Sequence, residues 1–157
     1  MPEQIDSISL KILKILQRRA RIPNVDLARQ VGLAPSAVLE RVRKLESQGF
    51  IDGYEVRLNP ERFSRGLVAF ILARIRKLED EAPVGRRLAA LGGVQEVHYI
   101  AGGDAFLVKV RVEGTRELGR FIREDIAAIR DVTSTRTSVV LSTYKETANL
   151  PIEQDEA

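Results

Sequence analysis

The sequence predicts an α+β protein of two domains, three short helices followed by a βαββαβ unit. Two observations lead to this prediction. Apolar residues recur at helical spacing before residue 50 and alternate with period two after it. Gly and Pro residues lie where the periodic segments end. A chain of 157 residues, 44% apolar and 30% charged, is of ordinary globular composition and long enough for two small domains.

The first helix is predicted to begin at Asp6 or Ser7, either of which can cap its first amide groups, and to end near Ala20. Pro23 then disfavours helical geometry in the residue before it. The apolar residues of this helix recur every three or four positions, which is typical of a helix with one buried side. They are Ile8, Ile12, Leu13, Ile15 and Leu16.

Two more short helices are predicted before residue 50. Asn24 can cap the second helix, and Gly32 ends it. Pro35 is a favourable first residue for the third helix, which runs to about Gln48 before Gly49. Their apolar residues are Val25, Leu27, Ala28 and Val31 in the second helix and Val38, Val42 and Leu45 in the third.

The period changes to two beyond Gly49. Ile51, Tyr54, Val56 and Leu58 predict a short extended segment, with Asp52-Gly53 as a candidate turn. This segment would make the first domain a winged one. Residues 59–66 are predicted to be a linker.

The rest of the chain predicts the order βαββαβ, which is the ferredoxin-like arrangement. Alternation is clearest in residues 105–113, where Phe106, Val108, Val110 and Val112 lie on one face and Lys109, Arg111 and Glu113 on the other. Such a unit places both helices on one face of a four-stranded antiparallel sheet. The predicted strands are 67–77, 94–101, 105–113 and 132–144, and the predicted helices are 81–91 and 115–129.

The first predicted strand is apolar on both faces. Leu67, Ala69, Ile71, Ala73 and Ile75 alternate with Val68, Phe70 and Leu72. A sheet covered by helices on one side needs only one apolar face, so the second face predicts an interface with another copy of the chain. Ile71 is expected to lie in that interface. The alternative is that the linker or the helical domain covers the second face.

The second and third helices match the requirements of a helix-turn-helix, in which the second helix of the pair enters the DNA major groove. Ala28 allows close approach of the helices and Gly32 makes the turn between them. Residues near the start of the third helix are expected to reach base edges, and basic residues further along to contact phosphates, with Arg41 a candidate for reading guanine. The candidate DNA-binding residues are Ser36, Ala37, Glu40, Arg41, Arg43 and Lys44. The expected partner is double-stranded DNA.

The sequence resembles the Lrp/AsnC (leucine-responsive, feast/famine) family of transcriptional regulators over almost its whole length. The matching residues include Leu27-Ala28, Val31-Gly32-Leu33, Arg41-Val42, Gly49-Phe50-Ile51 and the late Lys145-x-Thr147-x-x-Leu150-Pro151. The resemblance implies a winged helix-turn-helix domain followed by an ACT-like RAM domain. It also implies homodimers that assemble further into tetramers or octamers.

Domain limits follow from this resemblance and from the periodicity. We expect a DNA-binding domain over residues 1–58, a linker over 59–66 and an effector-binding and oligomerisation domain over 67–144. Residues 145–157 are expected to form a tail.

The resemblance further implies an amino-acid or related metabolite effector bound at a Gly-x-x-Asp turn between the second and third strands. The candidate effector residues are Gly102, Gly103, Asp104, Ala105, Thr135 and Thr137. The sequence departs from the family pattern here, because Ala105 occupies the position of the aspartate and Asp104 lies one residue early. A second departure is Ala34, where a capping Ser is usual, and its loss costs about 1 kcal/mol.

Composition excludes most enzyme classes. There is no Cys and only one His, His98, so we expect no catalytic residue, no metal site and no cofactor. Residues 1–66 carry twelve Lys and Arg against eight Asp and Glu, whereas residues 67–157 carry thirteen against fourteen. This asymmetry favours contact of the first domain with phosphates. No segment is apolar enough for a membrane span, and the expected location is cytoplasmic, associated with the nucleoid.

Two alternatives to an effector-responsive, sequence-specific regulator are considered. One is an architectural protein that organises DNA without an effector response. The other is a regulated enzyme subunit, which the absence of a thiol, a metal-ligand spacing or a phosphate-binding loop disfavours. His98 on a strand is more typical of a structural histidine than of a ligand.

Overall fold

A computed structural model describes residues 5–76 and 79–152 of the chain. Contacts divide these residues into two units, which we call the helical unit (5–57 with 146–152) and the sheet unit (58–145). The helices of the helical unit are α1 (Ser7–Arg18), α2 (Asn24–Val31) and α3 (Pro35–Ser47). The sheet unit contains β1 (Leu67–Ile75), α4 (Ala82–Ala89), β2 (Val94–Ile100), β3 (Ala105–Val112), α5 (Thr115–Arg120) and β4 (Val132–Val139).

The helical unit forms where the sequence predicted its helices, but the predicted cap by Asn24 was wrong, because Asn24 is the first residue of α2 and gives it no side-chain cap. The Asp6 carboxylate accepts a hydrogen bond from the Ser9 amide at 2.7 Å and so caps α1. Gly32 ends α2 with φ of 75°, a left-handed conformation that glycine adopts without a steric penalty. Ala34 precedes α3 and gives it no side-chain cap. The core includes Ile12, Leu27, Ala28, Val38 and Leu45, all almost fully buried.

Residues 146–152 also pack in the helical unit. The Gln17 side-chain oxygen accepts a hydrogen bond from the Leu150 amide at 2.6 Å, and its nitrogen donates to the Leu150 carbonyl at 3.3 Å. Ile152 packs against the helical core. The same unit is therefore built from two distant stretches of the chain.

The predicted strand over residues 51–58 does not form. No strand is found between Ile51 and Asn59, and the side chains of Val56 and Leu58 are 79% and 66% exposed. Ile51 packs against the helical core instead, and no strand of the described residues pairs with this segment. A strand lacking a partner gains no ladder hydrogen bonds, so it has little to stabilise it in one chain.

The predicted linker contains a turn of 3₁₀ helix at Pro60–Phe63. Asn59 caps this turn by accepting a hydrogen bond from the Glu61 amide at 3.0 Å. Arg65 binds the Glu117 carboxylate of α5 at 2.8 Å. These contacts attach the segment to the sheet unit.

The sheet is antiparallel with strand order β2-β3-β1-β4, and α5 continues as a π-helix over Phe121–Ile126. β4 ends at Val139, earlier than the predicted residue 144. Val139 pairs with Ala69, close to the start of β1, so β4 has almost no partner left beyond that point. The arrangement is the predicted ferredoxin-like one.

The helices cover one face of this sheet. Ile71 of β1 and Val108 of β3 are fully buried there, in one cluster with Leu88 of α4 and Ile126. Burial of each such side chain is worth roughly 1.5–3 kcal/mol. The expectation that Ile71 lies in an interface between chains was therefore wrong, because the register turns Ile71 towards the helices.

The opposite face of the sheet, which we call the open face, carries Phe70, Leu72 and Leu107, which alternate with the core positions. All three are half-buried within one chain. The prediction of a second apolar face was correct in kind, but it applies to Phe70 and Leu72 and not to Ile71.

Candidate functional site

The helix pair α2 and α3 packs around the turn at Gly32. Ala28 is 2% exposed and Val38 is fully buried, so small and branched side chains fill the contact between the two helices. The Asn24 side chain donates to the Pro35 carbonyl at 2.7 Å and links the start of α2 to the start of α3. This geometry fixes which side of α3 faces outward.

The outward side of α3 carries most of the predicted DNA-binding residues. Ser36, Glu40, Arg43 and Lys44 are exposed, and Ala37 is half-buried. In the described part of the chain, Arg43 has no hydrogen-bond or ion-pair partner. An unpaired guanidinium on a protruding helix can contact a phosphate without first breaking an internal bond.

Arg41 does not lie on that outward side. Its guanidinium binds the Asp6 carboxylate and donates to the Ser9 hydroxyl at 3.2 Å, and both partners belong to the start of α1. The predicted outward projection of Arg41 is thus not what the structure has. The hydrogen bond from the Ser9 amide and the bond from Arg41 hold the pKa of the Asp6 carboxyl below its usual value.

Tyr54 reaches α3 from the segment that follows it. Its hydroxyl donates to the Glu46 carboxylate at 2.8 Å. Burial and this carboxylate raise the pKa of Tyr54 to about 12. The phenol therefore remains a neutral donor at physiological pH, and it attaches the chain beyond α3 to the helix.

The hairpin between β2 and β3 contains the predicted effector residues 102–105. Gly102 and Gly103 have φ of 102° and 153°, and Asp104 has φ of 37°. The Asp104 carbonyl accepts a hydrogen bond from the Ile75 amide at 2.8 Å, and its carboxylate accepts one from the Tyr99 hydroxyl at 3.1 Å. Ala105 is 3% exposed. The turn is thus fixed at both its backbone and its one carboxylate.

Thr135 and Thr137 lie apart from this hairpin within one chain. They pair with Ala73 and Ile71 of β1. Strand β1 separates β4 from β3, so Thr135 is about 10 Å from β3 across the sheet, and Thr137 is further from the hairpin because it is level with Val108. The structure brings together Gly102, Gly103, Asp104 and Ala105, but it does not bring the threonines to them.

Two functional candidates were missed by the sequence analysis. Arg74 pairs directly with Ala105 across the β1–β3 ladder, and Arg136 lies on the same face of β4. The signal was present in the alternation, because position 74 has the parity of Phe70 and Leu72. It could be used only once the register of the strands was known.

His98 belongs to a charged group on the open face. Its Nε2 lies 3.4 Å from the Glu96 carboxylate, which binds Lys109 Nζ at 2.9 Å. The hydrogen bond from Lys109, followed by the one from His98, lowers the pKa of Glu96. The His98 side chain is 59% exposed, and its structural role stays a prediction.

Among residues 5–76 and 79–152, no group of His, Asp and Glu is arranged to hold a metal ion. In the same part of the chain, no helix is long and apolar enough to cross a bilayer.

Comparison with known proteins agrees with both units. Residues 5–52 match the family described as winged helix-turn-helix DNA-binding, and residues 68–150 match the Lrp/AsnC ligand binding domain. The protein is therefore of the class of transcriptional regulators that bind DNA through one domain and a small ligand through the other, and not an enzyme. It belongs to the Lrp/AsnC family.

Two curated relatives and two solved structures illustrate this membership. The leucine-responsive regulatory protein of Haemophilus influenzae is 37% identical over 145 residues, 91% of this chain and 87% of the relative. That of Escherichia coli K12 is 34% identical over 96% of this chain and 93% of the relative. A Neisseria meningitidis regulator in complex with L-Met has a TM-score of 0.89 at 30% identity, covering 94% of this chain and 97% of its own. E. coli AsnC has a TM-score of 0.85 at 26% identity, covering 93% and 98%.

Proposed function

We propose that the outward side of α3 reads an operator sequence in the DNA major groove. The supporting observation is that this side leaves its polar groups outward and Arg43 unpaired. Ser36, Ala37 and Glu40 near the start of the helix face base edges, and Arg43 and Lys44 face phosphates. Arg41 holds α3 against α1 and so orients the reading helix without contacting a base.

The phosphate contacts are tested with Arg43→Ala and Lys44→Ala combined, on random-sequence duplex DNA at several salt concentrations. Each phosphate contact contributes about −0.9 to the slope of log affinity against log salt. The slope of the double variant should therefore be less steep than that of the wild type by nearly two. The matched control is Arg86→Ala with Arg87→Ala, two exposed arginines of α4 in the sheet unit. Equal slopes in the two double variants would contradict the proposal.

Base reading is tested separately, with an operator selected from a randomised duplex library by the wild-type chain. Glu40→Ala should lower the ratio of operator to random-sequence affinity at fixed salt, because a base contact carries sequence preference and a phosphate contact does not. A ratio near one for the wild-type chain would instead favour an architectural DNA-organising protein.

We further propose that the ligand is an amino acid or a close relative, bound at the hairpin of Gly102, Gly103, Asp104 and Ala105. The solved N. meningitidis relative carries L-Met, and the hairpin here presents a turn of positive φ whose amides can face a carboxylate. Thr135 and Thr137 join this site only from a second chain, since β1 separates them from the hairpin of their own chain. Ligand binding then shifts the assembly of chains and so the spacing of their α3 helices.

The assembly we propose is a homodimer that buries the open face, followed by association into tetramers or octamers. Phe70, Leu72 and Leu107 supply an apolar centre of the kind that marks interfaces. Two chains place two copies of α3 on a roughly palindromic site. We propose that this assembly acts in the cytoplasm, on nucleoid DNA.

A further inference from the structure

The end of the open face next to the hairpin is basic. Arg74 pairs with Ala105 on one side and with Ser134 on the other, so its side chain lies in the row of the sheet that ends at the turn. Arg74 Nη1 lies 3.4 Å from the position that a Cβ on Gly103 would occupy. The guanidinium therefore lies against the glycine backbone of the hairpin.

Arg136 adds a second positive charge to this corner. It pairs with Leu72, and it is the diagonal neighbour of Arg74 across the β1–β4 ladder. Diagonal positions on one face are about 7–8 Å apart, which is within reach of long side chains. Two cations at this spacing repel each other unless an anion lies between them.

Among the described residues, no carboxylate forms an ion pair with either arginine of this corner. Asp104 accepts a hydrogen bond from Tyr99, whose ring packs 5.1 Å from Phe106 on the helix-covered side of the sheet. Glu96 lies two rows further along the open face and binds Lys109. Ala105, directly opposite Arg74, offers only a methyl group.

We propose that the effector of this protein is a small dicarboxylate, such as an acidic amino acid or the corresponding 2-oxo acid. This inference rests on the proposed effector site at the hairpin and names the class of ligand it takes. One carboxylate of the ligand accepts hydrogen bonds from the guanidinium of Arg74, with Arg136 beside it. The amides of the turn face the second carboxylate of the ligand. A neutral amino acid supplies only one carboxylate, so either the two guanidinium groups or the turn amides would be left without an anion.

The test is a thermal-shift titration of the full chain at constant ionic strength, because a ligand that binds only the folded state raises the melting temperature. The probes are L-glutamate, L-aspartate, 2-oxoglutarate, L-glutamine, L-leucine and L-methionine. The acidic probes should bind at least about tenfold more tightly than L-glutamine, which has an amide in place of the side-chain carboxylate of L-glutamate; this ratio corresponds to about 1.4 kcal/mol.

Arg74→Gln should remove this preference, and Ala105→Asp should weaken the acidic probes because its carboxylate would pair with Arg74. Arg130→Gln, an exposed arginine elsewhere in the sheet unit, is the matched control and should retain the preference. Tight binding of L-leucine or L-methionine by the wild-type chain, unchanged in Arg74→Gln, would overturn this inference and leave the effector site intact. Absence of any shift with all six probes would contradict the effector site itself.

Discussion

Helix α3 and strand β1 each turn one side into a core and the other side outward, but the two outward sides differ in chemistry. α3 presents Ser36, Glu40 and Arg43, which are well solvated when nothing is bound. β1 presents Phe70 and Leu72, which gain free energy only when another surface covers them. The first side is solvated as it stands in one chain, whereas the second would be covered in the homodimer that we propose.

The largest expected effect is a loss of stability that distinguishes the helix-covered side of β1 from its open side. Ile71→Asp places a charge in the fully buried cluster with Leu88 and Val108, and should lower the free energy of unfolding by about 4 kcal/mol or more. Phe70→Asp should leave the sheet unit folded but yield monomers. Circular dichroism on heating measures the first effect, and sedimentation measures the second. A folded Ile71→Asp monomer beside a dimeric Phe70→Asp would reverse the assignment of the two faces.

The next effect concerns the close approach of the α4–β2 turn and β3. Gly93 has φ of 85°, and a Cβ there would lie 2.9 Å from the Arg111 carbonyl. Gly93→Ala should cost about 2 kcal/mol, from the left-handed backbone and the clash together. Gly92→Ala is the control, because a Cβ at Gly92 meets nothing within 4 Å. Urea denaturation measures the free energy of unfolding of both variants. Equal values would show that the backbone around Gly93 shifts to accommodate a Cβ.

A smaller effect distinguishes the two sides of α3. Arg41→Ala should lower the free energy of unfolding by less than about 1 kcal/mol, because its bond with Asp6 is partly exposed. Arg43→Ala should leave stability unchanged and weaken DNA binding. If Arg41→Ala lowered the salt slope of DNA binding as much as Arg43→Ala, Arg41 would return to the set of phosphate contacts.

The smallest expected effect is a dependence of stability on pH at the start of α1. The folded pKa of Asp6 lies below its ordinary value of 3.8. The ionised carboxylate therefore stabilises the fold above that value, and this contribution is lost as the pH falls through the lower folded pKa. Asp6→Asn keeps a capping oxygen but does not titrate. The stability difference between wild type and Asp6→Asn should shrink between pH 7 and about pH 2, and a constant difference would argue against the ion pair.

The fold could be predicted from the sequence because its signals are local. Asp6, Gly32 and Pro35 act on the residues beside them, and they lie where the helices begin or end. The succession of strands along the chain could also be predicted, because alternation of apolar residues is a local signal. The predictions that depend on a distant partner were wrong: the segment 51–58 has no strand to pair with among the described residues, and β4 ends where β1 ends.

The sites could be predicted only in part, because they depend on which side chains meet across the fold. Arg41 follows Val38 by three positions and so lies beside the buried side of α3, where it reaches Asp6, 35 residues earlier. No local pattern in the sequence reports that partner. Arg74 was likewise invisible as a site residue until the register placed it opposite Ala105.

The docking of Leu150 and Ile152 onto the helical unit has a consequence for the order of synthesis. The three helices leave the ribosome early, but the Gln17 amide and part of the helical core have no partner until residues 146–152 are made. The whole sheet unit is translated in between. A chain whose translation stops early therefore carries the three helices without the contacts of Leu150 and Ile152, and the cell obtains a fully packed helical unit only together with the sheet unit.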